Sequence, residues 1–133
     1  MADLKEVARQ LYKLLDAQSW SALERTISPD LVVRLGSSPP IGLPDWKQQL
    51  RAFYAGLPNG HHVITDCLAE GYRVVTICLF EGHHQGSFAG IEPTGRKVSA
   101  LAIHVDKFVD EKLVEHIGQF DFQGPAAQIG KTN

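Results

Sequence analysis

The sequence predicts an α+β domain in which helices cover one face of a curved sheet. Apolar residues recur at spacings of three and four in the first third of the chain, whereas the second half alternates with the period of strands. The two patterns are segregated along the chain, as in α+β domains. A length of 133 residues suits one domain with a sizeable core, so we expect residues 1–133 to form a single domain.

Three helices are predicted before residue 60. Asp3 is a candidate N-cap for an amphipathic first helix, and Ser19 precedes a short second helix that stops before Pro29. Asp45 is a candidate cap for a third helix that ends at Gly56. The glycines and prolines of residues 36–42 predict a loop.

Strands are predicted in the remainder of the chain, where Val, Ile, Thr and aromatic residues are frequent. A short strand covers residues 31–35, and two antiparallel hairpins are formed by residues 61–69 with 72–80 and by residues 98–108 with 112–122.

Composition and charge limit the classes of partner. The hydrophobic fraction of 44%, the charged fraction of 21% and the net charge of −2 are typical of a globular protein. Lys and Arg form no cluster, so we expect no nucleic-acid partner. Because the first residues carry acids and lack an apolar run, we expect no secretory signal, and no apolar run approaches the roughly 20 residues of a membrane span. We therefore expect a cytoplasmic protein that binds a small ligand and no membrane.

Cysteines and histidines give no metal-binding spacing. Cys67 and Cys78 lie inside apolar strands, where free cysteines behave as small buried hydrophobes. His61-His62 and His83-His84 are adjacent pairs whose members point to opposite faces of a strand, so neither pair can chelate an ion locally. We expect no metal.

A set of spaced motifs in the second half carries a family resemblance. It comprises Gly82-x-His84-x-Gly86, Phe88, Gly90-Ile91, Pro93-Thr94-Gly95-Arg96, Val114-Glu115, Asp121 and Gln128-Ile129-Gly130. Together these motifs resemble the SnoaL-like polyketide cyclase family over roughly residues 42–130. The chain lacks a histidine that family members often carry near the first strand, and it has Ile117 where an aromatic residue is usual.

The resemblance implies a cone-shaped, curved sheet of mixed or antiparallel strands, with the N-terminal helices on its concave face, as in nuclear transport factor two and ketosteroid isomerase. It also implies an intramolecular aldol cyclisation of a hydrophobic carbonyl compound without metal or organic cofactor. The family's acid/base carboxylate falls on Asp121, and the histidine of its glycine motif falls on His84. Because the outer sheet face of such cones often pairs, we expect a homodimer.

Strand register predicts which side chains share a pocket. If Asp110-Glu111 is a two-residue turn, Val109 pairs with Lys112. Counting back predicts three further pairs on one face, Ala100 with Asp121, Ala102 with Gln119 and His104 with Ile117. The small alanines would leave room for a ligand, whereas a β-bulge would shift the register and turn the face over.

The predicted chemistry assigns roles to these side chains. Asp121 would be the base, with a pKa raised by burial, and His84 or His104 would donate a hydrogen bond to the enolate oxygen. Trp46 and Phe53 would belong to the core or the inner pocket wall.

Other readings remain open at this stage. Asp121 could be a surface acid that caps residues 123–126, His84 could bond a loop carbonyl, and His104 could be a core or rim histidine. The alternative to an enzyme is a non-catalytic module of the same fold for small-molecule binding or dimerisation.

Overall fold

The computed structural model describes residues 3–88 and 90–130 of the chain. In this part, the helices are α1 (Leu4–Asp16), α2 (Trp20–Thr26), α3 (Leu43–Gly56) and α4 (Gln123–Gly130). The strands are β1 (Ile27–Leu35), β2 (His61–Glu70), β3 (Arg73–His83), β4 (Lys97–Val109) and β5 (Lys112–Phe120). The predicted α+β class is confirmed.

All five strands form one mixed sheet in the order β1-β5-β4-β3-β2. Both predicted hairpins, β2 with β3 and β4 with β5, are present and antiparallel, whereas β1 pairs with β5 in parallel at one edge. β1 begins four residues before the predicted strand. Its pairing is irregular between Ile27 and Val32, the stretch that contains Pro29, which has no N–H to donate to a ladder.

Helix α1 forms as its sequence predicts. The Asp3 side chain accepts a hydrogen bond from the amide of Lys5, and the buried face consists of Ala8, Leu11, Tyr12 and Leu15. This face packs into one of two apolar clusters, which also contains Val74, Phe108 and Leu113 from the sheet. A second cluster contains Tyr54, Leu57, Phe80, Phe88, Val98 and Ile129.

The predicted cap of the third helix is wrong. α3 starts three residues earlier than predicted, with Gly42 as its N-cap, and the amide of Trp46 donates to the Gly42 carbonyl over 3.1 Å. Pro44 lies in the first turn, where its fixed φ suits a helix. Backbone amides in the first turn have no acceptor within the helix, so the lack of an N–H in proline breaks no hydrogen bond there. Asp45 is therefore a first-turn acid and not the cap.

The predicted turn between β4 and β5 is confirmed, but the register beyond it is wrong. Asp110 and Glu111 have φ values of 52° and 61°, and Val109 pairs with Lys112. Phe108 pairs with Leu113 and Lys107 with Glu115, so Val114 is an additional residue in β5. This β-bulge shifts every later pair by one residue.

The shift turns β5 over relative to the prediction. Ala102 pairs with Phe120 and His104 with Gly118, and the amide of Asp121 donates to the Leu101 carbonyl instead of facing Ala100. The inner face of β5 therefore presents His116 and Gly118, whereas Ile117 lies on the outer face.

Apolar side chains also cover much of the outer face of the sheet. We call this set the outer apolar face; its exposed members are Val63, Leu68, Leu101, Ile103 and Ile117. Cross-strand pairing brings them into contact with further half-buried apolar residues, for instance Val63 with Leu79 and Ile117 with Val105. In the described part of the chain, no helix is sufficiently long and apolar to cross a membrane.

Candidate active site

A cavity of about 680 Å³ lies between the two apolar clusters, on the inner face of the sheet. Its walls are mainly aromatic and include Trp46, Phe53, Phe80, Phe88, Phe120 and Phe122. Ser37, Ser38, Gln49 and Gln119 also line it and are exposed, so they mark its mouth. Volume and lining match those of pockets that enclose a small, hydrophobic molecule.

Three histidines from three different strands line this cavity. His62 comes from β2, His104 from β4 and His116 from β5, and all three line it. The ring centroids of His104 and His116 are 5.0 Å apart, and those of His62 and His104 are 5.8 Å apart. His104 thus lies between the other two.

Asp106 orients His116. Its carboxylate is fully buried, and Oδ1 lies 2.5 Å from Nδ1 of His116 while Oδ2 accepts a hydrogen bond of 2.5 Å from the Tyr12 hydroxyl. A carboxylate accepts hydrogen bonds, so Nδ1 of His116 is the donor of this bond and Nε2 is left for another partner. Burial and the neighbouring Asp106 raise the pKa of Tyr12 well above its ordinary value, so Tyr12 remains a donor.

Asp16 orients His62 in the same way. Its Oδ1 lies 2.6 Å from Nδ1 of His62 and accepts a hydrogen bond of 2.8 Å from the Tyr54 hydroxyl, while Oδ2 accepts one from the His62 amide. Asp16 is the last residue of α1, where a negative charge interacts unfavourably with the helix dipole. The presence of an acid here is therefore better explained by its contacts with β2 and α3. Two carboxylate–histidine–tyrosine groups therefore border the cavity, which their histidine and tyrosine side chains line.

His104 differs from the other two histidines because both of its ring nitrogens lack a hydrogen-bond partner. It is 9% exposed, and its ring stacks on Tyr12 with centroids 5.2 Å apart. Burial, with smaller contributions from His116 and His62, lowers the pKa of His104 well below its ordinary value. The ring is therefore neutral, with one N–H and one lone pair directed at no protein atom.

Gly118 provides the space between two of these rings. A Cβ at this position would lie 3.1 Å from Nε2 of His116 and 3.3 Å from Nδ1 of His104. The glycine thus leaves open the position where the reactive nitrogens of both rings approach each other.

Four residues that the sequence assigned to the pocket do line the cavity: His104, Gln119, Trp46 and Phe53. Ala100 and Ala102 are buried on the inner face but lie outside the cavity lining. Ile117 is 38% exposed on the outer face, since the β-bulge reverses its direction.

His84 is buried in the loop between β3 and β4, away from the cavity lining. The Thr94 amide donates to Nδ1 over 3.2 Å, so Nε2 carries the proton and donates to the Ile91 carbonyl over 3.0 Å. Gly86 of the same motif lies against α3, because a Cβ there would come within 2.0 Å of the Ala55 carbonyl oxygen. In this structure the Gly-x-His-x-Gly motif holds the loop.

Asp121 is exposed at the end of β5 and is not part of the cavity lining. Its Oδ1 accepts a hydrogen bond of 3.1 Å from the amide of Gly124 at the start of α4. Phe120 and Phe122 on either side of it do line the cavity, so the carboxylate lies beside the mouth.

Sequence reasoning missed His62, His116 and the two carboxylates that hold them, Asp16 and Asp106. One signal was available for Asp106, which stands two residues after His104 and therefore shares a face with it and with the apolar Ala100, Ala102 and Phe108. A carboxylate on a buried face requires a partner. The bulge at Val114 hid that partner, His116.

Comparison with known proteins agrees with the fold. The family model for SnoaL-like polyketide cyclases matches residues 5–129. Aklanonic acid methyl ester cyclase AcmA from Streptomyces galilaeus is 42% identical over 48 residues, which are 36% of this chain and 33% of that protein. Nogalonic acid methyl ester cyclase from Streptomyces nogalater is 39% identical over 47 residues, 35% of each chain. The matched region thus spans about a third of the length of each of these two relatives.

Solved structures resemble this fold over nearly the whole length of the chain. IdmH from Streptomyces antibioticus, a proposed polyketide cyclase, has a TM-score of 0.86 at 25% identity and covers 95% of this chain and 97% of its own. A proposed SnoaL-like polyketide cyclase from Jannaschia sp. CCS1 has a TM-score of 0.84 at 17% identity, over 100% of this chain and 98% of its own, which shows a shared fold. These findings confirm the resemblance and the predicted fold, and the chain belongs to the SnoaL-like polyketide cyclase family.

Proposed function

We propose that this protein catalyses a cofactor-independent acid/base reaction on a hydrophobic carbonyl compound bound in the cavity, namely an intramolecular aldol cyclisation or a related isomerase or lyase step. The observation that carries the proposal is the buried Asp106–His116 pair at the wall of an aromatic cavity. Such a pair, itself buried, supplies a proton acceptor of fixed tautomer at the cavity wall.

His116 is the proposed base. Because Asp106 holds the proton on Nδ1, Nε2 is free to accept a proton from the carbon next to a carbonyl group. The resulting enolate attacks a second carbonyl carbon of the same molecule, which forms the ring bond. The new alkoxide then takes the proton back from Nε2 of His116, so the enzyme returns to its starting state and no atoms are lost.

His104 is the proposed donor to the enolate oxygen. Its neutral ring has one N–H without a partner, in a buried position 5.0 Å from the ring of His116. A donor that is already in place, in surroundings of low polarity, stabilises developing negative charge more than one in water does. The missing partner of His104 is then the substrate oxygen.

Two further observations support this class of reaction. The two relatives above are named as methyl ester cyclases. The aromatic walls, with Phe53 in contact with Tyr54, Phe80, Phe88 and Phe120, favour an apolar ligand with flat, unsaturated rings. The proposed substrate is therefore an unsaturated carbonyl compound with an acidic C–H.

Proton exchange tests the base without knowledge of the natural substrate. Flat aromatic β-keto esters are incubated with the protein in D2O, and loss of the α-proton signal is followed by NMR. We expect exchange with the wild-type protein and a reduction of about 10²- to 10⁴-fold in His116→Gln, because a positioned base contributes that range. Binding of the same compounds should persist in the variant.

Asp121→Asn and His84→Gln are the matched variants, because the sequence resemblance assigns catalysis to Asp121 and His84. Our proposal expects near wild-type exchange in Asp121→Asn. Loss of exchange in Asp121→Asn but not in His116→Gln would overturn it and return the role of base to Asp121. Binding without exchange in the wild-type protein would instead indicate a non-catalytic binding module.

A further inference from the structure

Beside the proposed base, three side chains with metal-binding atoms meet on adjacent strands. His62 of β2, Cys78 of β3 and His104 of β4 each offer one nitrogen or sulfur atom, and these atoms all lie within 4.8 Å of one another. The register explains the cluster, since Cys78 pairs with Ala102 and Ile64, which places it diagonally next to both histidines on the inner face.

Each of the three side chains is able to act as a ligand. His104 has two buried nitrogens without any hydrogen-bond partner. Cys78 is a free, fully buried thiol with one weak contact of 3.6 Å to the Ala102 carbonyl. His62 binds Asp16 through Nδ1, so Nε2 remains available.

We propose that His62, Cys78 and His104 form a binding site for a thiophilic divalent ion of the zinc class. Two imidazoles and a thiolate are ligands that such ions prefer. Ligand atoms in a tetrahedral zinc site are about 3.3–3.6 Å apart, given metal–ligand lengths of about 2.0–2.3 Å. Side-chain movements of about 1 Å would therefore close the observed cluster around an ion.

The surroundings of the cluster suit a cation. Asp16 holds the ring of His62 through a hydrogen bond of 2.6 Å, which is the carboxylate–histidine arrangement common behind metal ligands. The Cys78 thiolate and the Asp16 carboxylate together balance a charge of +2. Because His62 and His104 line the cavity, a fourth ligand from water or a small molecule can approach from there.

This site is distinct from the proposed reaction, although it shares one residue with it. An ion bound to His104 would occupy the proposed donor, so metal binding would inhibit the acid/base step instead of assisting it. Failure of one proposal therefore leaves the other standing, because metal binding is measured without substrate and proton exchange is measured in the presence of a chelator.

Zinc titration calorimetry and cobalt(II) absorption spectroscopy test the site in tag-free, full-length protein. We expect one equivalent of Zn²⁺ to bind and Co²⁺ to produce a thiolate charge-transfer band. Cys78→Ser should abolish the band and weaken Zn²⁺ binding at least tenfold. Cys67→Ser is the matched control, since Cys67 is also a buried free thiol but lies outside the cluster, and it should behave as the wild type.

Histidine variants give a second, independent measurement. His104→Gln should weaken Zn²⁺ binding at least tenfold, whereas His61→Gln, which changes an exposed neighbour of His62, should not. Thermal unfolding without metal shows that each variant is folded. The proposal is overturned if wild-type protein binds no Zn²⁺, if the cobalt band survives in Cys78→Ser, or if His61→Gln weakens binding as much as His104→Gln.

Discussion

Replacement of Asp106 by Asn should destabilise the protein and disable His116 together. The carboxylate is 0% exposed and accepts two hydrogen bonds of 2.5 Å, from Tyr12 and from His116. Asn keeps the shape but loses the charge, and its amide group can satisfy only one of these two donors as an acceptor. The other donor is then left without an acceptor.

The size of the effect follows from these two bonds. Hydrogen bonds to a charged group contribute about 1.5–3 kcal/mol and neutral ones about 0.5–1.5 kcal/mol, so the bond that Asn retains weakens by about 1 kcal/mol, and the buried donor without a partner costs about 1–3 kcal/mol. We therefore expect the free energy of unfolding to fall by about 2–4 kcal/mol and Tm by about 6–20 °C. Proton exchange at a bound carbonyl compound should fall as well, because Nδ1 of His116 is no longer held protonated.

Asp121→Asn is the control, because it makes the same chemical change at an exposed carboxylate that accepts one hydrogen bond, from Gly124. Asn caps helices nearly as well as Asp, so its unfolding free energy should change by less than about 0.5 kcal/mol. Urea unfolding at pH 7 measures both variants. Equal stabilities of Asp106→Asn and Asp121→Asn would refute the reasoning, since it depends entirely on the burial of Asp106.

Three further predictions concern the cavity and the outer face. His104→Leu removes two unpartnered buried nitrogens and should raise the free energy of unfolding at pH 7 by about 1–2 kcal/mol. Because burial, His116 and His62 lower the pKa of His104, the unfolded chain takes up a proton below about pH 6.5 that the folded chain does not. The free energy of unfolding of the wild-type protein, measured with urea, should therefore fall as the pH drops from 7 to 5, and it should fall less in His104→Leu. Equal falls in the two proteins would contradict this role of His104. Gly118→Ala should leave Tm within about 3 °C. It should reduce ligand affinity and proton exchange at least tenfold, because its Cβ would lie 3.1 Å from Nε2 of His116. Unchanged exchange would show that the ligand does not use this space. We propose a homodimer through the outer apolar face. Light scattering should then show a dimer for the wild-type protein and a monomer for Ile103→Lys, whose Tm at low protein concentration should be unchanged. A monomeric wild-type protein would refute the dimer.

Local sequence patterns were sufficient for most of the architecture. The spacing of Leu11 and Leu15 predicts the buried face of α1, and the Asp110-Glu111 pair predicts the turn between β4 and β5. Both depend on neighbouring residues, since helix and strand periods and turn conformations are local properties. The parallel pairing of β1 with β5 was not predictable in this way, because it joins segments about 80 residues apart in the chain.

The candidate site also combines features that follow from local sequence with features that depend on contacts between distant parts of the chain. Sequence alone determined that this is an α+β domain with a motif set typical of SnoaL-like cyclases, and it identified His104 and Trp46 as pocket residues. Tertiary structure decided which polar groups meet in the cavity. One additional residue in β5, Val114, reverses the direction of every later side chain, so that His116 faces Asp106 inside while Asp121 lies outside. Side chains of a strand alternate between its two faces, so one inserted residue moves every later side chain to the opposite face. Only the pairing of whole strands reveals such an insertion.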